Sequence, residues 1–152
     1  MTWMKMGLIA VCAAIGLASA VAAQAETSQE QVNKQAVIAF YDKALNDKDF
    51  AAASKYLGDR YTQHNPTAAD GPDGLKAFIQ FLRDKFPQSH NEVVQSFADG
   101  DFVILHVKSV RTPGTAGRAI VDIFKLEKGK VVEHWDVVQD IPEKAANANG
   151  MF

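Results

Sequence analysis

The sequence predicts an α+β domain in which three N-terminal helices pack in a strongly curved antiparallel sheet, giving a cone-shaped roll. Two observations carry this prediction. Apolar residues recur at helical spacing as far as Phe86, and from Asn91 onward the period falls to two. A third observation points to a site: in the last predicted hairpin an aspartate, Asp122, stands within the otherwise apolar row Ile120, Phe124 and Leu126.

The elements follow in order. Thr27 with Glu30 three positions on is a capping-box pattern, and Val32, Ala36, Phe40 and Ala44, widened by Val37 and Tyr41, predict a first helix from Ser28 to Asn46. Asp47 is placed to cap a short second helix that carries Phe50, Ala53 and Leu57, with Gly58 as its left-handed stop. The polar run Tyr61-Thr62-Gln63-His64-Asn65-Pro66 ends at a proline and reads as a short strand or extended loop. Asp70, Gly71 and Pro72 open a third helix with Leu75, Phe78, Ile79, Leu82 and Phe86 on one face, and Pro87 closes it. Four strands come next: Glu92–Ala98, an Asp99-Gly100 turn, Phe102–Thr112, and then two strands between Gly117 and Asp140 joined at Glu127, Lys128 and Gly129. The Ala- and Asn-rich tail after Ile141 is expected to fray.

Of the 152 residues, 1–25 have the form of a cleavable signal peptide: Lys5, an apolar run from Gly7 to Ala18, and Ala23-Gln24-Ala25 as the cleavage site. That run is shorter than the roughly 20 residues that span a bilayer, so a secreted or periplasmic chain beginning at Glu26 is expected, with no membrane association. Residues 26–152 suit one domain. Cys12, the sole cysteine, falls in the signal, which leaves the mature chain without disulfides, thiol nucleophiles or thiolate metal sites. The formal net charge of −2, with no long basic or acidic run, argues against nucleic acid as a partner.

A carboxylate on a face that packs toward a core must be neutralised, paired or used, because an unpaired buried charge costs several kcal/mol or shifts its pKa. A raised pKa would make Asp122 a better base near neutral pH. His134 and Asp136 share one side of the last strand, and His106 follows Phe102 and Ile104 by twos, so both histidines are candidates to polarise a substrate carbonyl. The walls of the expected pocket include Ile104, Phe124 and Leu126. His64, Asn65, Asp136, Tyr41 and Phe124 are the candidate substrate-binding residues, with Gln63 a further possible donor. Trp135 alternates to the other face, where packing or a subunit contact suits it better than substrate stacking.

The order of elements, the segment Tyr61–Pro66, and Val121-Asp122-Ile123-Phe124 followed by Gly129-Lys130-Val131-Val132-Glu133-His134-Trp135-Asp136 resemble the SnoaL-like branch of the nuclear-transport-factor-two-like superfamily, whose roll is also described as cystatin-like. The resemblance covers nearly the whole mature chain. It implies a homodimeric cone with an apolar pocket and, as in the polyketide-cyclase members, a cofactor-free intramolecular aldol condensation run by an aspartate that corresponds to Asp122. Limonene epoxide hydrolases of the superfamily hold water with two aspartates bridged by an arginine two residues before the first. Asp122 and Asp136 match those carboxylates, but Ile120 stands at the arginine's position, so epoxide hydrolysis is a minor alternative. Export is a second departure, since polyketide cyclases work beside cytoplasmic synthases.

The resulting expectation is a cofactor-independent lyase or isomerase that abstracts a proton next to a carbonyl of a small apolar compound, with Asp122, His106 and His134 as catalytic residues. The alternative from another class is a periplasmic small-molecule binding protein that uses the same pocket without turnover. His64, His106, His134 and Asp122 are acceptable ligands for zinc or iron, but they follow no recurring ligand spacing, and no metal is assigned.

Overall fold

The computed structural model describes residues 26–152, so the expected signal segment lies outside the described residues. Helix α1 (Ser28–Tyr41) starts at the expected capping box: the Glu30 amide donates to Thr27 Oγ1 at 3.2 Å and the Thr27 amide donates to Glu30 Oε2 at 2.6 Å. The buried stripe is Asn33, Val37, Phe40, Tyr41 and, in the π-helical turn Asp42–Asn46 that prolongs α1, Ala44. Val32, assigned to that stripe from spacing, is 58% exposed instead. Asn33 takes the place nearer the sheet because its side chain reaches the Gly100 carbonyl at 3.2 Å, while Glu30 Oε1 accepts from the Gly100 amide at 2.8 Å. The start of α1 is thereby tied to a turn of the sheet.

Helix α2 (Phe50–Ala53) is shorter than expected and is capped by Asp49, which accepts from the Ala52 amide at 3.0 Å, rather than by Asp47. A 3₁₀ turn (Ser54–Tyr56) leads straight into β1 (Leu57–Gln63). Gly58 is therefore a strand residue. Its missing side chain matters because a Cβ there would lie 2.7 Å from Val132 Cγ1. Helix α3 (Gly71–Lys85) follows with Leu75, Ile79 and Leu82 buried. Then come β2 (His90–Asp99), β3 (Phe102–Val110), β4 (Arg118–Glu127) and β5 (Lys130–Asp140).

The sheet has five strands rather than four, in the order β1-β5-β4-β3-β2. The meander β2 to β5 is antiparallel, and β1 joins the free edge of β5 in parallel. The β4–β5 turn needs positive φ at both central residues, 51° at Lys128 and 73° at Gly129. The β2–β3 turn is centred on Gly100 and Asp101, with φ of 57° at Gly100. Register irregularities interrupt β2 between Val93 and Gln95 and the β4–β5 pair at Val132, bending the sheet around the helices.

Cross-strand partners share a face, and this decides where the core lies. Val103, Leu105 and Val107 pair with Phe124, Asp122 and Ile120, so all six side chains face the helices. The three β3 residues are fully buried. His106 and Ile104 therefore lie on the outer face, contrary to the expectation that they project into the cone. Strand β3 is apolar on both parities, so alternation alone did not select its inner side. On β5 the bulge at Val132 also puts Val131, not Val132, in the cluster with Leu126 before His134 resumes the inward alternation.

Candidate active site

Between the helices and the concave face of the sheet lies a cavity of about 570 Å³. Phe40, Leu75 and Phe78 from the helices and Ile120 and Phe124 from β4 give it apolar walls. Asp122 faces it and is 3% exposed. Burial pushes its carboxyl up from the ordinary aspartate value, and hydrogen bonds from His134 and Tyr41 offset part of that rise.

The partners of Asp122 are fixed by a chain of hydrogen bonds. The Tyr41 hydroxyl donates to Oδ2 at 3.1 Å, and His134 Nε2 lies 3.0 Å from Oδ1. The other ring nitrogen of His134, Nδ1, is 3.0 Å from Gln63 Oε1. Gln63 Oε1 also accepts the Asn65 amide at 2.8 Å, and Gln63 Nε2 donates to the Tyr61 hydroxyl at 3.1 Å, so the orientation of this side-chain amide is determined. Nδ1 of His134 must then carry a proton. It follows that Nε2 and Asp122 Oδ1 share a single proton, as neutral imidazole with carboxylic acid or as imidazolium with carboxylate.

Asp136 is the cross-strand partner of Asp122. Asn65 donates to both of its carboxylate oxygens at 2.7 Å. The amide of Asn65 is oriented in turn by Thr67, whose backbone N–H and hydroxyl donate to Asn65 Oδ1 at 2.8 and 2.7 Å. Asp70 stabilises the approach to α3: its carboxylate accepts the Gln63 amide at 2.8 Å, and backbone hydrogen bonds from Gln63 and Gly71 hold its pKa below the usual value. One ligand atom each from Asp122, His134 and Asp136 fall within 4.8 Å of one another, the spacing of a small cation site. Those atoms are already engaged with one another and with Asn65, and a cation would have to replace these bonds.

Of the candidates named from sequence, Asp122, His134, Asp136, Asn65, Tyr41 and Phe124 line the cavity together. His64 and His106 do not. The His64 amide donates to the His134 carbonyl at 2.9 Å, which places the two residues side by side on the sheet, but the His64 ring lies on the outer face, stacked on Trp135 at 4.5 Å and 4° with Nε2 3.0 Å from Glu133. The His106 ring, also outside, stacks on Phe152 at 5.1 Å. The zinc or iron set that included these two histidines is therefore not assembled. Tyr61 was missed as a site residue. It is 5% exposed, and its hydroxyl, which accepts from Gln63, keeps a proton to donate. Burial raises its pKa, so that proton is held across the physiological range. The signal was present in the alternation Tyr61, Gln63, Asn65.

A family model described as a SnoaL-like domain matches residues 37–134, more than half of the chain. The chain belongs to the SnoaL-like domain family. No functionally curated protein matches it in sequence. Among solved structures, this SnoaL-like chain is similar to an NTF2-like protein of unknown function from Cytophaga hutchinsonii (TM-score 0.59, 20% identity, 70% of this chain and 89% of that one). It is similar as well to a putative polyketide cyclase from Bacillus cereus (TM-score 0.61, 22% identity, 70% and 74%). An LEH-like epoxide hydrolase of M. tuberculosis matches at TM-score 0.61 with 16% identity over 73% of this chain and 85% of that one. At these identities the likeness is one of fold.

Proposed function

We propose that this SnoaL-like protein is a cofactor-free enzyme of the lyase or isomerase type that abstracts a proton next to a carbonyl of a small apolar compound, with Asp122 as the base. The observation that carries this reading is a buried carboxylate facing an apolar cavity and sharing one proton with His134. With that proton on His134, Asp122 is the carboxylate that takes the substrate's α-proton, and the C–H electrons move into the carbonyl to give an enolate. The Tyr61 hydroxyl is the available donor to the enolate oxygen, a role that needs a proton aimed at developing charge. Return of the proton to a different carbon gives isomerisation, and attack of the enolate on a second carbonyl gives aldol chemistry. The putative polyketide cyclase among the similar structures is consistent with such a substrate class.

The Asn65–Asp136 pair supports a second, hydrolytic reading in which Asp136 orients a water, as the similarity to an epoxide hydrolase suggests. Ile120 counts against it, since it provides no cation to bridge Asp122 and Asp136.

The deciding experiment is deuterium exchange at the α-carbon of a panel of apolar ketones in heavy water, followed by NMR. Exchange catalysed by the wild type and lowered about 100-fold or more in Asp122→Asn supports the proposal. Absence of exchange with every ketone, or full exchange by the variant, removes it. The proposal includes export, with an intact mass starting at Glu26, and a homodimer, with a sedimentation mass twice that of the chain.

A further inference from the structure

The cavity has a second polar end that the acid/base chemistry does not use. Arg118 precedes Asp122 by four residues on β4 and lies on the same face, so about 14 Å separates them at about 3.4 Å per residue. Around it, Arg111, Ser89, Asn91 and Ser109 line the same cavity. Arg118 Nε pairs with Asp140 Oδ1 at 2.9 Å, at a carboxylate whose side chain is 82% exposed. Arg111 has no ion pair among the described residues; its guanidinium lies 5.4 Å from the centre of the Phe86 ring. Burial, and next the charge of Arg118, hold the Arg111 pKa below the usual arginine range.

Ser89 supplies an independent observation. It is 8% exposed, and its Oγ is buried with no hydrogen-bond partner among the described residues. Its carbonyl accepts Lys48 Nζ at 3.0 Å, which fixes the backbone and places a third cation behind this wall. A buried hydroxyl without a partner and a guanidinium fork without an anion, side by side, form a site whose missing component is an acceptor with negative charge. Of the two guanidinium groups that line the cavity, Arg118 is paired with Asp140, which leaves the Arg111 fork as the one without an anion among the described residues.

We infer that the Arg111–Arg118–Ser89 end of the cavity binds the carboxylate of the substrate, making that substrate an apolar keto acid with its carbonyl at Asp122 and its carboxylate at the other end. The carbonyl half of this statement rests on the proposed acid/base reading; the carboxylate half stands on the arginines and Ser89. Planar forked donors at the polar end of an otherwise apolar cavity suit a planar carboxylate, which accepts two parallel hydrogen bonds.

The test compares 6-acetyl-2-naphthoic acid with its methyl ester by isothermal titration calorimetry on the wild-type protein near neutral pH. The acid is expected to bind about ten-fold tighter than the ester or better. Arg111→Gln, and separately Arg118→Gln, should lower affinity for the acid about ten-fold and leave the ester nearly unchanged, with circular dichroism reporting the fold. Asp122→Asn should keep the preference, so failure of the catalytic reading leaves this result readable. Equal affinities in the wild type, no binding of the acid, or a preference that survives in both arginine variants overturns the inference.

Discussion

The two faces of the β4–β5 hairpin carry nearly the same constellation. On the concave face His134 lies 3.0 Å from a carboxylate, Asp122, and stacks on Phe124 at 4.7 Å. On the convex face His64 lies 3.0 Å from a carboxylate, Glu133, and stacks on Trp135 at 4.5 Å. Both have a histidine, a carboxylate at the same distance and an aromatic ring against the imidazole. The surroundings differ: the inner pair's side chains are 10% and 5% exposed, the outer pair's 38% and 20%. A histidine–carboxylate pair thus acquires a reaction space only where the sheet curves over it and water is removed. The outer pair lies in water, where such contacts contribute little.

The largest expected difference between the faces is in packing. Phe124 is 2% exposed and meets the rings of Phe40 and Tyr41 edge-on at 5.9 and 6.3 Å, so Phe124→Ala should cost about 3–5 kcal/mol in denaturant unfolding. Phe102, on the outer face and 41% exposed, should cost about 1 kcal/mol or less when truncated in the same way. Equal losses would mean that the outer face is as enclosed as the inner one.

Next comes turnover. Asn in place of Asp122 can donate from its amide to His134 Nε2 and accept from the Tyr41 hydroxyl, so the network of the folded protein is preserved while the base is lost. Asp122→Asn is expected to lower α-proton exchange about 100-fold, near 2.7 kcal/mol of barrier, with binding retained. Glu133→Gln on the outer face should leave exchange within about two-fold. A comparable loss in both would break the distinction between the faces.

The pH dependence of stability separates them with a definite sign. The folded state holds the Asp122 proton more tightly than the unfolded chain does, because burial raises its pKa above the ordinary value of 3.8. The folded state therefore binds the extra proton, and this group's contribution is present at low pH and lost as pH rises through the folded pKa. Asp122→Asn has no such titration. Chemical denaturation at about pH 4 and about pH 7 should show the variant gaining stability relative to the wild type at the higher pH. An unchanged difference would mean that the carboxyl is not perturbed.

Much of this was legible in the sequence, and the losses have specific causes. The period of two from Ile120 to Leu126 set Asp122 inward correctly, because its row continues through Phe124 and Leu126 whereas the other parity ends in Lys125 and Glu127. The same count includes Arg118, two residues before Ile120, and extends the row to the second end of the cavity. Strand β3 gave no such contrast, and His106 was assigned to the wrong side; only its pairing with Val121 on the outer face resolves the matter. Strand β1 was invisible at its start, since Leu57-Gly58-Asp59-Arg60 has no strand pattern. It is extended because the edge of β5 is open and Gly58 allows close approach to Val132. His64 shows the limit of reading residues in a polar run: its backbone bonds to His134, but its side chain takes the opposite face.

The smallest expected effect belongs to the outer pair itself. His64 and Glu133 are joined at 3.0 Å beside the Trp135 ring, with His64 Nε2 able to donate to the carboxylate. Because both groups meet solvent, the water that replaces a lost partner solvates the survivor, and the attraction is screened over a Debye length of about 8 Å at physiological salt. Glu133→Gln is accordingly expected to change unfolding stability by about 1 kcal/mol or less, with the difference shrinking as salt is raised. The stacked ring should hold His64 in place through apolar contact with Trp135, which salt does not weaken. A loss above about 2 kcal/mol that is insensitive to salt would require this pair to be desolvated in solution, as it would be if a second copy of the chain covered the convex face. In that case sedimentation of Glu133→Gln should show the shift toward monomer that accompanies the loss.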